Sequence, residues 1–322
     1  IFTNYNYSGG FYNFKEKEFR GFNYSEERRA DNSLIKHYFH QDDAKKGNEF
    51  KTEILDGNNN LFKRTENFFV NLTQDNYFIS LIQNQSESTF DGASNSRVKN
   101  TSYSYDDFGN IVVITSLGEP NLGDERFEYY EYLYNINDWI IKPKRYYLLD
   151  SSNVSTVRQT WYVYDNNEYG QNATKGDITR KEDYLNSANN ITTKYSYTSF
   201  GNILNQTDPN NQNITYIYNI QDSTNTFADR IINAKGQIIN YIYDLGTGNS
   251  LSQVDSNNNI TNYTYDVFGR IEKEILPYDS FSYPTKNYSY DYNTIPIKVI
   301  INQREVSEAI GTLDIYQFYD GF

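Results

Sequence analysis

Tyr263-Thr264-Tyr265-Asp266-Val267-Phe268-Gly269-Arg270-Ile271 is the stretch that decides the fold. It has two full relatives in the same chain. They are Tyr103-Ser104-Tyr105-Asp106-Asp107-Phe108-Gly109-Asn110-Ile111 and Tyr195-Ser196-Tyr197-Thr198-Ser199-Phe200-Gly201-Asn202-Ile203. In an extended strand, residues two apart share a face, so each Tyr-x-Tyr presents both rings to one side. Asp at the start of the next four residues and Gly at their end suit a tight turn. A glycine there can take positive φ and close a three-residue hairpin loop with a bulge. Ile271, Ile111 and Ile203 then begin the returning strands.

Partial copies extend the pattern. Tyr162-Val163-Tyr164-Asp165, Tyr216-Ile217-Tyr218, Tyr241-Ile242-Tyr243-Asp244 and Tyr288-Ser289-Tyr290-Asp291 keep the tyrosines, while the last three lack the glycine ending. From Tyr195 onward the first tyrosines are 21, 25, 22 and 25 residues apart. Each period also holds a second turn rich in Asp and Asn, such as Asp208-Pro209-Asn210-Asn211-Gln212 or Asp255-Ser256-Asn257-Asn258-Asn259. About 22 residues therefore make two strands and two turns. A lone hairpin is marginal, so consecutive hairpins must pair edge to edge. The predicted fold is all-β, a repetitive antiparallel sheet strip.

Composition agrees. The chain has 322 residues, 33 Tyr, 20 Phe, no Cys and no Met. Asn is roughly one residue in eight and favours turns, while Tyr, Phe, Ile, Val and Thr favour strands. An AT-rich genome would raise the same residues, but it does not explain where they fall. At 17% aromatic, the chain does not read as disordered. Without cysteine there is no disulfide framework and no thiolate metal site. The net charge of −13 argues against a nucleic-acid surface. Apolar runs such as 111–114 and 299–301 are too short to span a membrane.

Charge divides the chain. Residues 1–100 carry 13 basic and 14 acidic side chains, whereas 101–322 carry 16 and 28. Two regions are expected: 1–95, preceding the repeats, and 96–322, holding them. The start at Ile1 and the ending Tyr319-Asp320-Gly321-Phe322 read as an internal piece of a longer protein.

These residues resemble a known family. The Tyr-x-Tyr-Asp-x-x-Gly-Asn/Arg-Ile unit looks like the YD repeat, also called the RHS repeat. Tyr12, Lys17-Glu18-Phe19-Arg20-Gly21-Phe22 and His37-Tyr38-Phe39-His40 look like the segment preceding the repeats in the B component of bacterial insecticidal Tc toxin complexes and in Salmonella-virulence-plasmid-type toxins. Lys17 and Asn23 depart from that pattern, which has Arg and Gly there. The ending at 319–322 resembles the start of a further repeat.

The resemblance implies a hollow β-sheet shell holding a toxin polypeptide. It implies as partners the remainder of the shell, that encapsulated polypeptide and a pore-forming toxin component. It also implies a secreted or extracellular bacterial setting, and self-cleavage by a segment beyond the repeats. The alternative is a surface binding module for glycans or another cell.

Catalytic chemistry is not expected, nor a cofactor or metal. His37 and His40, with Asp42 and Asp43, could supply metal ligands, but packed or exposed imidazoles are the simpler reading. The runs from Asp56 and Asp255 place oxygens at positions 1, 3 and 5 of a calcium-type loop, yet lack its glycine and its glutamate. Trp139 and Trp161 read as packing residues. The residues expected to matter are structural: Tyr103, Tyr105 and Gly109; Tyr195, Tyr197 and Gly201; Tyr263, Tyr265 and Gly269; and Arg20. For Arg20 we expect a buried structural role rather than catalysis; a guanidinium flanked by aromatics can stack and pair bidentately with a carboxylate.

Overall fold

A computed structural model of the chain describes residues 3–74, 77–91, 95–119, 123–186, 189–221, 223–306 and 311–319. Asp320, Gly321 and Phe322, read above as the start of a further repeat, lie outside the described residues. The protein is all-β. Among the described residues are 23 strands and one short 3-10 helix, Ile136–Asp138. The backbone forms two compact units, one of Ile1–Gly176 with Lys181–Ile191, the other of Asp177–Arg180 with Thr192–Phe322. The first YD-type hairpin, at Tyr103, lies within the first unit.

In the first unit the strands run Asn4–Asn13, Glu18–Arg28, Leu34–Phe39, Glu49–Leu55, Leu61–Gln74, Tyr77–Thr89, Arg97–Tyr105, Ile111–Leu117, Arg126–Asn135, Ile140–Leu149 and Thr156–Tyr164. Each pairs antiparallel with the next in the chain. The second unit follows the same rule. From Tyr197 its ladder continues through Ile203–Thr207, Asn213–Ile217, Arg230–Ile232, Ile238–Tyr243, Ser250–Val254, Ile260–Tyr265, Ile271–Ile275, Lys286–Asp291, Ile297–Arg304 and Thr312–Tyr319. Most connections are tight turns, which favour pairing with the preceding strand, and the order persists across longer ones such as 218–229 and 276–285.

One turn recurs on both sides of the strands. At 106–110, Gly109 N–H donates to Asp106 O at 3.1 Å and Asp106 N–H donates to Asn110 O at 3.0 Å. The same pair of bonds closes 198–202 and 266–270. Gly109, Gly201 and Gly269 have φ of +82°, +84° and +76°. The Asn-rich turns at 56–60, 208–212 and 255–259 have the same two bonds. There Asn59, Asn211 and Asn258 take the left-handed position, at φ of +64°, +60° and +64°. Asparagine tolerates that region better than other residues with a Cβ.

The leading side chain completes the turn. One carboxylate oxygen of Asp106 accepts the N–H groups of Phe108 and Asn110, at 2.9 and 2.8 Å. The other accepts the Asn110 side-chain amide at 2.9 Å. Asp56 and Asp255 repeat all three bonds, and Asp266 substitutes the Arg270 guanidinium for the amide. These bonds favour the charged form. The carboxyls of Asp56 and Asp255 are held below their ordinary value, chiefly by the Asn60 and Asn259 amides, and that of Asp266 chiefly by Arg270. Asp150, in a longer turn, is pulled down to about 2, first by the Ser152 hydroxyl.

Few side chains are fully buried. Leu34, Leu55, Leu133, Val163, Tyr164, Ala173 and Ile275 are the buried apolar ones, and most strand residues are half-covered. Cross-strand pairs therefore contribute more here than a thick core.

Two outcomes test this account. A Cβ at Gly201 would meet nothing within 4 Å, so only backbone conformation opposes it. Gly201→Val is expected to destabilise the hairpin by about 1–2 kcal/mol, whereas Gly201→Asn keeps most of that stability; urea unfolding of both variants measures the difference. The depressed carboxyls also fix a pH dependence. Their stability is fully present above about pH 4 and is lost as pH falls through their folded values. Unfolding midpoints in urea should therefore drop steeply below that pH, and an unchanged midpoint at pH 2–3 would contradict the turn chemistry.

Candidate functional site

The repeat tyrosines form the most regular feature of the molecule. Tyr103, Tyr105, Tyr195, Tyr197, Tyr263 and Tyr265 are all half-buried. The two members of each pair do different things. The second tyrosine donates its hydroxyl to a backbone carbonyl of the preceding hairpin: Tyr105 to Ile82 at 2.6 Å, Tyr197 to Ile178 at 2.8 Å and Tyr265 to Ser250 at 2.9 Å. The partial copies do the same. Tyr164 reaches Pro143 O at 2.7 Å, Tyr218 reaches Ile203 O at 2.9 Å, Tyr243 reaches Ala228 O at 3.4 Å and Tyr290 reaches Ile271 O at 2.8 Å. Tyr132 joins the series through Ile111 O at 2.9 Å.

The acceptors share a place in the ladder. In six of the eight, the next residue is the one that the strand register skips. Ser104 pairs with Val113 and Tyr105 with Ile111, so Val112 is extra. Gln83, Lys144, Leu204, Leu251 and Glu272 are skipped in the same way, directly after Ile82, Pro143, Ile203, Ser250 and Ile271. A bulge disrupts the local ladder, and the tyrosine from the following hairpin supplies a donor there. Sequence reasoning missed this division of labour, and missed Tyr130-Glu131-Tyr132 as a copy. The signal was present as another Tyr-x-Tyr, but without a turn glycine behind it.

Burial pushes the hydroxyls of Tyr105, Tyr132, Tyr164, Tyr218, Tyr265 and Tyr290 above their ordinary value. The incomplete repeats keep the tyrosine and lengthen the turn. Tyr164 is followed by the loop 165–176, in which the Asp165 carboxylate accepts the N–H groups of Thr174, Lys175 and Gly176 at 2.7–3.1 Å.

Arg20 sits elsewhere, on the strand Glu18–Arg28. It is buried, at 8% exposure. Its guanidinium bonds one oxygen of Asp43 and the carbonyl of Gln41 at 3.3 Å, and lies 3.5 Å from Glu18. Gln41 in turn donates to the carbonyls of Gly9 and Gly21, both at 2.8 Å. Arg20 thus ties the turn at 40–48 to the first hairpin. Bidentate pairing and aromatic stacking are not its arrangement. Phe19 and Phe22 pack on each other, edge to face at 5.6 Å, and stay exposed on the hairpin. Stacked guanidiniums occur elsewhere, at Arg270, 4.1 Å from the Tyr290 ring, and at Arg145, 4.3 Å from the Tyr147 ring.

The other candidates disperse. His37 meets Glu49 at 2.6 Å, whereas His40 lies 3.6 Å from Asp42 and against the rings of Phe50 and Phe69, so the two imidazoles do not share a carboxylate. The carboxylates of Asp56 and Asp255 are occupied by their own turns, so those loops are hairpin turns. Trp161 is half-buried, but Trp139 is 89% exposed with φ +57°, which corrects its reading as a packing residue. No group of three or more metal-ligating side chains occurs among the described residues. Among the described residues no helix is long and apolar enough to cross a membrane. A cavity of about 530 Å³ in the first unit is polar, lined by Glu87, Arg97, Lys99, Glu119, Asp124 and Arg126 among others.

The tyrosine series makes a sharp contrast testable. Tyr265→Phe should cost about 1–2 kcal/mol by leaving Ser250 O without its donor, while Tyr263→Phe should cost clearly less. Equal losses in urea unfolding would remove the hydroxyl from the account. The raised tyrosines also predict alkaline behaviour. Their contribution is fully present below about pH 10 and is lost as pH rises through the folded values. Ionisation followed at 295 nm should lag behind free tyrosine and coincide with unfolding.

Comparison with known proteins adds two findings. Residues 1–53 match the family model of the insecticide toxin TcdB middle/N-terminal region. No curated protein sequence matches the chain. Among solved structures, TcdB2-TccC3 matches with a TM-score of 0.67 and 14% identity, over 99% of this chain and 26% of that one. TcdB2-TccC3 without its hypervariable C-terminal region matches at 0.61 and 14%, over 96% and 22%. The Photorhabdus luminescens Tc holotoxin pore matches at 0.62 and 14%, over 95% and 21%. At that identity the likeness is one of fold, and the chain spans about a quarter of the matched chains or less. In fold over nearly its whole length, and in sequence over its first 53 residues, the chain is similar to the TcdB-type middle region of insecticidal Tc toxins.

Proposed function

We propose that this chain is a wall segment of a β-sheet shell that sequesters a toxin polypeptide and helps to deliver it. The observation that carries the reading is the hydroxyl series. From Tyr105 onward eight tyrosines each fasten a hairpin to the one before it, so the bonded repeat tyrosines serve the sheet itself. A glycan-reading module would need those rings free on a surface. The repeat tyrosines are half-buried; exposed rings include those on the first and last strands, as at Tyr5, Tyr7, Tyr316 and Phe318, and at turns, as at Phe200 and Phe268.

The similarity to TcdB-type chains supports the choice of a toxin polypeptide as cargo and of the other partners in this reading. Those partners are the rest of the shell, the enclosed polypeptide and a pore-forming component. An assembly acting outside the producing cell is part of the same reading, supported by the likeness to the Tc holotoxin pore. The wall has no catalytic part in this reading; its role is to exclude proteases and solvent from what it encloses.

The test uses the full-length protein that contains this segment, digested by a broad protease. The enclosed polypeptide should survive while the wall is intact. The double variant Tyr265→Phe, Tyr290→Phe should admit cleavage about tenfold faster or more, because two clips are lost from adjacent hairpins. Cleavage at the wild-type rate of an unprotected chain in the intact protein would end the enclosure reading. Saturable binding to a glycan surface, lost on Tyr263→Ala, would favour the alternative.

A further inference from the structure

Phe68 is an exposed ring inside a strand of the first unit. It lies on Leu61–Gln74, at 56% exposure, and faces a bulge, because the register skips Gln83 between Asn84 and Ile82. Bulges occur where a sheet re-aims a side chain. Phe68 pairs with Asn84 of Tyr77–Thr89, and Ser86 of that strand pairs with Asn100 of Arg97–Tyr105. Residues directly opposite, and residues two apart, share a face of the sheet. Phe68, Asn84, Ser86 and Asn100 therefore stand together on one face. They border a cavity of about 350 Å³, lined by Phe68, Asn84, Gln85, Ser86 and Asn100. That volume is at the lower end for small-molecule sites.

The polar groups here are free. The amides of Asn60, Asn110 and Asn259 close their own turns. Asn84 and Asn100 instead sit inside strands, where asparagine is disfavoured. Both are exposed, and neither their amides nor the Ser86 hydroxyl has a hydrogen-bond partner among the described residues. Gln85, by contrast, is committed to Asn67 at 2.9 Å. None of the five lining residues is charged, although 22% of the chain is. The larger cavity of the same unit is lined by side chains of both signs.

The lining selects the ligand. The face of an aromatic ring is apolar and slightly negative, and accepts C–H groups. A side-chain amide both donates and accepts, as a pair of neighbouring hydroxyls requires. An ion would find no counter-charge in the lining, and a purely apolar ligand would cover the amides without bonding them. A pyranose ring has an apolar face and a rim of hydroxyls, so it meets both. Glu66, opposite Ser86, disfavours an acidic sugar. We propose that this cavity binds a neutral saccharide, with Phe68 against the pyranose ring and Asn84, Ser86 and Asn100 on its hydroxyls. Phe68 is not a repeat tyrosine, and the site does not depend on enclosure of a cargo.

The test titrates the intact chain with methyl glucoside, methyl galactoside and N-acetylglucosamine, with glycerol as control. Side-chain amide signals are followed by heteronuclear NMR. At least one of the three sugars should saturate at about millimolar concentration, as a ligand of that size on an open site would. Phe68→Ala should weaken it about tenfold or more, and Phe68→Tyr, which keeps the ring, should retain it. Asn100→Ala should weaken it about fivefold. Near-ultraviolet spectra of these variants should show the wild-type fold, which the exposure of both positions allows. Phe78→Ala removes another exposed ring of the same unit and should bind as the wild type does. Wild-type affinity in Phe68→Ala, or an equal loss in Phe78→Ala, would reduce the binding to general adhesion and overturn the proposal. So would a response to glycerol as strong as that to the sugars, or no saturation by any of the three below about 100 mM.

Discussion

The hydroxyl of the second tyrosine in each pair, held on a carbonyl of the preceding hairpin, is the interaction on which the rest depends. A sheet with few buried aliphatics has little core to hold successive hairpins in register. Ladder bonds alone leave a weak point wherever a bulge skips a residue. Tyr105, Tyr132, Tyr164, Tyr218, Tyr265 and Tyr290 each bring a ring, half-buried except for the buried Tyr164, and a donor toward such a region. The ring excludes water and the hydroxyl satisfies the carbonyl, so one side chain does both tasks. That explains why tyrosine, and not phenylalanine, is the repeating residue.

The Asp turns complement this spine. Their carboxylates accept donors from their own loops, so much of the negative charge is spent on closing hairpins. Acidic composition therefore reflects local architecture as well as surface field. The same accounting removes the calcium-type reading of Asp56 and Asp255, because the oxygens that would face an ion already face N–H groups.

Much of this was legible. The Tyr-x-Tyr spacing, the turn glycines at 109, 201 and 269 and the period of 21–25 residues led directly to an antiparallel hairpin array. Arg20 was legible as a buried structural residue flanked by Phe19 and Phe22, but not in its partners. Asp43 and Gln41 come from a turn more than 20 residues on, and only folding brings them to it. Trp139 misled because a tryptophan usually packs; here a left-handed backbone at the hairpin tip turns it outward. The asparagines at 59, 211 and 258 were legible as turn residues, but not as equivalents of the glycines.

The sequence by itself determined the alternation of strand and turn, because residue spacing and turn chemistry are local. It also determined that tyrosine would be the repeating element. Only the tertiary structure decided which tyrosine of each pair is bonded, because its acceptor is a carbonyl beside a bulge 15–23 residues earlier.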